Sequence, residues 1–169
     1  LITEWLDREG RVEKRGAVPS PPVGWSPMYF GSDLIFNQIS FEPLDTEPRW
    51  SGLYNVGDRP THHFAWMVRD GEVRSITSVH RDVLEYHPHI HMAAKQVVTA
   101  HDDRGETYRF RGEAIASASL PAWPNVSFHD SVYRWENEDG RVAHCTYQEI
   151  WFDKYQRAVL DQTSQRASR

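Results

Sequence analysis

Three glycine-containing turn sequences divide the chain between residues 62 and 152 into segments of similar length. They lie at residues 69–72, 102–106 and 137–141, and each carries a glycine where a tight hairpin needs a positive φ. Between the turns, apolar residues recur at every second position, which is typical of antiparallel strands with one buried face. Three successive hairpins predict an antiparallel meander.

Long strands without crossover helices must hide their edges by stacking as a sandwich or by closing into a barrel. We predict an all-β, lipocalin-like barrel, because the strands are long and successive pairs are tightly connected. Residues 1–30 are expected to form an extended leader, 31–153 the barrel and 154–169 a tail, with a short helix possible at 153–165. The predicted strands are 34–42, 62–69, 72–86, 89–101, 106–118, 125–136 and 141–152.

Composition narrows the class of partner. The 169 residues carry a formal net charge of −5, with scattered rather than clustered Lys and Arg, which argues against a nucleic-acid partner. A single cysteine and the lack of an apolar run of about 20 residues favour a soluble, cytoplasmic protein that does not bind membranes. Seven Trp, seven Tyr, seven Phe and nine His suit a ligand cavity, although a large aromatic core has the same composition.

Several stretches resemble, in the same order, the carboxy-terminal half of the two-domain lipocalin-like proteins that include the AttH proteins and the carotenoid hydratases. This resemblance implies a hydrophobic cavity for a terpenoid or polyketide-like molecule, and activities such as adding water across a double bond. It also implies a second barrel, so we expect either a partner subunit, a homo-oligomer or a member that works alone. The matching stretches are 24–30, 33–36, 66–72, 103–108, 111–113, 135–141 and 147–151.

The last predicted strand places one carboxyl group, that of Glu149, on an otherwise apolar face shared with Tyr147. Burial disfavours the ionised form of a carboxyl group, so Glu149 could stay protonated and act as a general acid. The resemblance implies that Tyr147 and Glu149 correspond to the Tyr-x-acid pair of the carotenoid hydratases, with Glu in place of Asp. Alternatively, Glu149 is paired with an arginine of the neighbouring strand or lies near the barrel mouth.

The hairpin at 137–141 pairs the last strand with a strand that carries His129. We expect His129 to lie near Tyr147 or Glu149, which would supply a proton donor and a base to one cavity. The alternative is that this face is simply the solvated one.

Three alternate histidines, His87, His89 and His91, would project from one side of a strand. Metal binding would need ligands from elsewhere, such as His80 or His101, and Pro88 equally suits a corner between two strands. We therefore assign no metal and no cofactor.

These patterns give three main hypotheses, with metal-dependent oxygenation as a minor fourth. The first is an enzyme that acts on an apolar substrate by acid/base chemistry, as a hydratase, dehydratase, isomerase or cyclase, with Glu149, Tyr147 and His129 as catalytic residues. The second is a non-catalytic binding protein, and the third a structural subunit of a two-barrel assembly. An inward Glu149 without a cationic partner favours the first, and a large exposed apolar face favours the third. The predicted substrate-binding residues are His63, Trp66, Trp123, Tyr133, Trp135 and Trp151.

Overall fold

A computed structural model describes residues 2–6, 12–17, 23–41, 62–123, 126–152, 156–157 and 160–161 of the chain. Within these residues, no helix has the length and apolar character needed to cross a membrane. The strands are β1 (Ile2–Leu6), β2 (Val12–Ala17), β3 (Val23–Tyr29), β4 (Leu34–Phe41), β5 (His62–Arg69), β6 (Glu72–Tyr86), β7 (Ala93–Asp102), β8 (Thr107–Trp123), β9 (Val126–Asn137) and β10 (Val142–Phe152).

Strands β3 to β10 form a closed antiparallel barrel in which each strand pairs with its neighbours in sequence. Pairing of β10 with β3 closes the barrel and leaves it without an edge strand. Strands β1 and β2 form a separate two-stranded sheet. The predicted all-β meander barrel is therefore confirmed.

Two of the predicted boundaries are wrong. The leader assigned to residues 1–30 contains β3, a full barrel strand. The sequence pattern did not indicate this strand because its buried positions Gly24 and Ser26 are small, while Trp25 and Tyr29 face outward. The strand predicted at 89–101 begins only at Ala93, after a turn. Of the helix considered at 153–165, only 156–157 and 160–161 are described, with helical backbone.

The tight turns lie at one end of the barrel, which we call the turn end. Gly71, Gly105 and Gly140 have φ values of 82°, 83° and 76°, which confirms the predicted hairpin glycines. At the opposite end, β6 is joined to β7 by residues 87–92. The short glycine-containing hairpins therefore lie at one end of the barrel, and the 87–92 connection lies at the other.

The buried side chains divide the interior into two halves. Near the turn end most of them are apolar, apart from the Arg74–Asp102 pair, and we call this region the apolar half. Farther from the turns, buried polar groups lie among apolar and aromatic side chains such as Tyr147, Trp151 and Met92, and we call this region the polar half. The apolar half contains Met28, Phe30, Leu34, Phe36, Met67, Phe110 and Trp135, and the polar half contains Ser26, Gln38, Ser40, Gln96, His129, Ser131 and Glu149.

Gly112 allows the closest packing in the apolar half. The ring of Trp135 lies flat against the backbone of β8, so that a Cβ at Gly112 would be 2.6 Å from Cε3 and 2.8 Å from Cη2 of the indole. Carbon atoms do not approach this closely in folded proteins. A glycine is thus required here for space rather than for a special φ.

An ionic cluster joins β6 to the β7–β8 hairpin at the turn end. Oδ1 of the buried Asp102 accepts the backbone N–H groups of Arg104 and Glu106 at 2.9 and 2.8 Å, and Oδ2 lies 3.1 Å from Arg74 Nη1. Arg74 also bonds Glu106 Oε2 at 2.7 Å and the Tyr108 hydroxyl at 2.8 Å. Burial raises the pKa of Asp102, but hydrogen bonds from Glu106, Tyr108 and Arg74 outweigh this and hold the pKa below its ordinary value.

Candidate functional site

Glu149 faces the barrel interior from β10, as predicted, and is only 5% exposed. Its Oε1 accepts hydrogen bonds from the backbone N–H of Ala93 at 3.0 Å and from the Tyr147 hydroxyl at 2.9 Å. Its Oε2 accepts the indole N–H of Trp151 at 2.8 Å. Both carboxylate oxygens are therefore occupied as acceptors.

A guanidinium group lies beside this carboxylate. Arg81 Nη1 is 3.6 Å from Glu149 Oε1, and it donates to the Tyr147 hydroxyl at 2.8 Å and to Gln96 Oε1 at 3.4 Å. The condition set for the catalytic hypothesis, a buried Glu149 without a cationic partner, is not met. The cation comes from β6, which is not a neighbour of β10 in the sheet, rather than from the adjacent strand.

The same cluster holds the first residue of β7. The Tyr133 hydroxyl donates to the carbonyl oxygen of Ala93, whose N–H donates to Glu149. Burial raises the pKa of Tyr133, and the negative charge of Glu149 raises it further. Tyr133 thus remains a hydrogen-bond donor at neutral pH, and the two contacts bind the start of β7 to β9 and β10.

His129 lies directly opposite Glu149 in the register of β9 and β10. It is buried, and its ring centroid is 4.4 Å from that of Trp151 at an interplanar angle of 59°. The prediction that His129 lies close to Glu149 is therefore confirmed, and the alternative of a solvated face is wrong.

Sequence reasoning missed Gln38. It is 3% exposed on β4, and its Oε1 has no hydrogen-bond partner among the residues that the structure describes. The register places Gln38 opposite Ser26 of β3 and Ala65 of β5. The signal was present: Gln38 and Ser40 alternate with outward residues, in phase with the buried Leu34 and Phe36.

The predicted substrate-binding residues divide into three groups. Tyr133, Trp135 and Trp151 are buried inside the barrel, although Trp135 belongs to the packed apolar half. The expected position of Trp66 inside the cavity is wrong, because the strand register turns Met67 inward and leaves Trp66 42% exposed on the outer face. The side chains of His63 and Trp123 lie outside the described residues.

Trp66 belongs to an exposed aromatic face on the outside of the barrel. Phe64, on the same side of β5, is 67% exposed, and Trp25 and Tyr29 of β3 are also exposed. An exposed apolar face is what the structural-subunit hypothesis requires. Nothing in the structure shows what covers this face, so that hypothesis stays a prediction.

The histidine-rich segment forms a turn between β6 and β7, so the alternative of a corner between two strands is confirmed and the interpretation of the three histidines as one strand is wrong. His87 Nδ1 accepts the backbone N–H groups of His89 and Ile90 at 3.3 and 3.1 Å, and His91 has a φ of 66°. These local hydrogen bonds replace the pairing that a strand would have. In the described part of the chain, no group of three His, Cys, Asp or Glu side chains is placed to hold a metal ion.

The sequence matches no model of a known protein family and no curated protein. The resemblance to the AttH and carotenoid hydratase proteins therefore stays a prediction. The function is argued below from the geometry of the polar half.

Proposed function

We propose that the chain is a small-molecule-binding barrel that takes an apolar ligand bearing one polar group into the polar half of its interior. The observation that carries this proposal is the buried Gln38 amide, whose oxygen has no partner among the described residues. A buried polar atom without a hydrogen bond costs about 1–3 kcal/mol. A bound molecule that supplies the missing donor would offset this cost.

Binding is favoured over proton donation by Glu149 because of the contacts of that carboxylate. Its two oxygens accept three hydrogen bonds, and Arg81 lies beside it. Three donors and an adjacent guanidinium fix the position of this carboxyl group and connect β10 with β6 and the start of β7. The contacts therefore suit a group that fixes the shape of the site.

Acid/base catalysis is the second candidate, as hydration, dehydration, isomerisation or cyclisation of an apolar substrate. It is favoured by one observation, the position of the Tyr147 hydroxyl between Arg81 Nη1 at 2.8 Å and Glu149 Oε1 at 2.9 Å. In this arrangement Tyr147 could pass a proton to or from Glu149, with His129 on the opposite strand as a second titratable group.

Fluorescence titration tests the proposal, because Trp135 and Trp151 are buried in the interior. The ligand panel is geraniol, farnesol and 1-naphthol. We expect saturable quenching by at least one of them with a Kd of about 100 μM or lower. Absence of saturable binding by all three up to about 1 mM would overturn the proposal.

Mass spectrometry of the same mixtures separates the two candidates. A ligand recovered unchanged after long incubation supports binding without chemistry. Gain or loss of water, or an isomer with a new retention time, supports the catalytic candidate instead.

A further inference from the structure

We infer that the polar group of the ligand is an uncharged hydroxyl, and that Gln38 is the residue that selects it. This inference rests on the proposed binding function and names the chemical class of the ligand. It is carried by three features of the polar half: the balance of its charges, the hydrogen-bonding capacity of the Gln38 amide, and the small side chains around that amide.

The charges of the polar half neutralise each other. Glu149 lies 3.6 Å from Arg81, and these two groups share the Tyr147 hydroxyl. The second buried ion pair, Arg74 with Asp102, lies at the turn end. Because these two charges are paired with each other, a ligand carboxylate or ammonium group would be buried without a counter-charge of its own. An uncharged polar group avoids this cost.

The Gln38 amide matches a hydroxyl group. The amide can accept through Oε1 and donate through Nε2, while an alcohol both donates and accepts. A carboxylate can only accept and an ammonium group can only donate. Gln38 Oε1 is a buried acceptor without a partner among the described residues, so a ligand bound beside it must bring a donor. Gln96 Nε2 is a buried donor without a partner in the same part of the chain, and a hydroxyl group can serve either atom.

Small residues surround Gln38. Ser26 and Ala65 are its direct neighbours on the adjacent strands, and Ser40 is the next buried residue of β4. The two serine hydroxyls add uncharged hydrogen-bonding groups on the same wall of the barrel. The pattern favours a ligand with a hydroxyl at this wall and an apolar body.

The test compares ligands that differ only in the polar group. The probes are geraniol, geranic acid, geranylamine and the parent hydrocarbon, together with the same four derivatives of farnesol, measured by isothermal titration calorimetry. We expect the alcohol to bind about tenfold or more tightly than the acid, the amine or the hydrocarbon, which corresponds to about one buried hydrogen bond.

Gln38→Leu is the decisive variant. It removes the unpartnered amide, so we expect a higher melting temperature together with about tenfold weaker binding of the alcohol and unchanged or tighter binding of the hydrocarbon. Gln148→Leu is the matched control, since Gln148 is bonded to Asp130 on the outer face. It should leave the preference for the alcohol intact.

The possible failures are distinguishable. If neither the eight probes nor 1-naphthol bind, the proposed binding function is overturned. If ligands bind but the acid or amine is preferred, or if Gln38→Leu keeps the preference for the alcohol, the function stands and the inference is wrong. If Gln38→Leu does not fold, Gln38→Met takes its place, because it keeps the length of the side chain without its amide. The same loss of preference for the alcohol is expected.

Discussion

The inward position of Glu149 could be predicted from the sequence, but its charged partner could not. The alternation of Ala143, Cys145, Tyr147, Glu149 and Trp151 on the last strand put the carboxyl inside the barrel, which the structure confirms. Its partner Arg81 lies on β6. Local pattern does not reveal which side chains meet across a barrel, because those contacts depend on closure and on strand tilt.

Replacing Glu149 tests whether it is a structural charge. In Glu149→Gln, an amide nitrogen takes the place of one acceptor and Arg81 loses the adjacent carboxylate. We expect a loss of about 3–5 kcal/mol in the free energy of unfolding, measured by urea denaturation.

The control for this variant is the double substitution Arg81→Met with Glu149→Gln, which removes both charges and keeps an amide oxygen as an acceptor for the surrounding donors. Its loss should be clearly smaller than that of Glu149→Gln, since no buried charge is left without its partner. A Glu149→Gln protein as stable as the wild type would contradict the structural role of the carboxylate.

Gly112 gives a second prediction at the scale of one residue. A methyl group at this position would overlap the ring of Trp135, so Gly112→Ala should lower the free energy of unfolding by about 1–3 kcal/mol. In the background of Trp135→Leu the same substitution should cost much less, because the overlapping ring is gone. Equal losses in both backgrounds would show that the contact with Trp135 is not the cause.

At the scale of the elements, the sequence predicted the seven strands from β4 to β10 because their turns and alternation are local signals. Strand β3 was missed since its inward positions, Gly24 and Ser26, are small or polar, whereas Trp25 and Tyr29 face outward. The polar half explains this exception. Where the interior itself is polar, the rule that apolar residues point inward no longer identifies the buried face.

We expect the stability contributed by the β7–β8 hairpin to depend on pH. The pKa of Asp102 is lower in the folded protein than its ordinary value of 3.8, mainly through hydrogen bonds that outweigh its burial. A lowered pKa contributes stability that is present above the unfolded pKa and is lost as the pH falls through the folded one. We therefore expect the melting temperature to fall as the pH drops below about 4.

Asp102→Asn isolates this contribution. The variant should melt several degrees below the wild type at pH 7, because Arg74 loses its charged partner. Below the lowered pKa, the two melting temperatures should converge, since the wild-type Asp102 is then protonated as well. Parallel curves over the whole acidic range would assign the pH dependence to other groups.

At the scale of the whole molecule, the barrel combines a packed apolar half with a polar half. The apolar half, with its short hairpins, provides the stability that a closed fold requires. The polar half contains buried groups that a purely structural core would not need, among them Gln38. This division of the interior supports a function inside the barrel and explains why composition alone could not distinguish an aromatic core from a ligand cavity.

The most direct test of ligand binding inside the barrel is a proton–nitrogen correlation NMR spectrum, recorded with and without geraniol or the ligand of the panel that binds most tightly. The side-chain amide of Gln38 and the indole N–H of Trp151, both inside the barrel, should shift on binding. The indole of Trp25, on the outer face and bonded to Asn37, should not. Shifts confined to Trp25 and Trp66, with Gln38 and Trp151 unchanged, would place the ligand outside the barrel and contradict the proposed function.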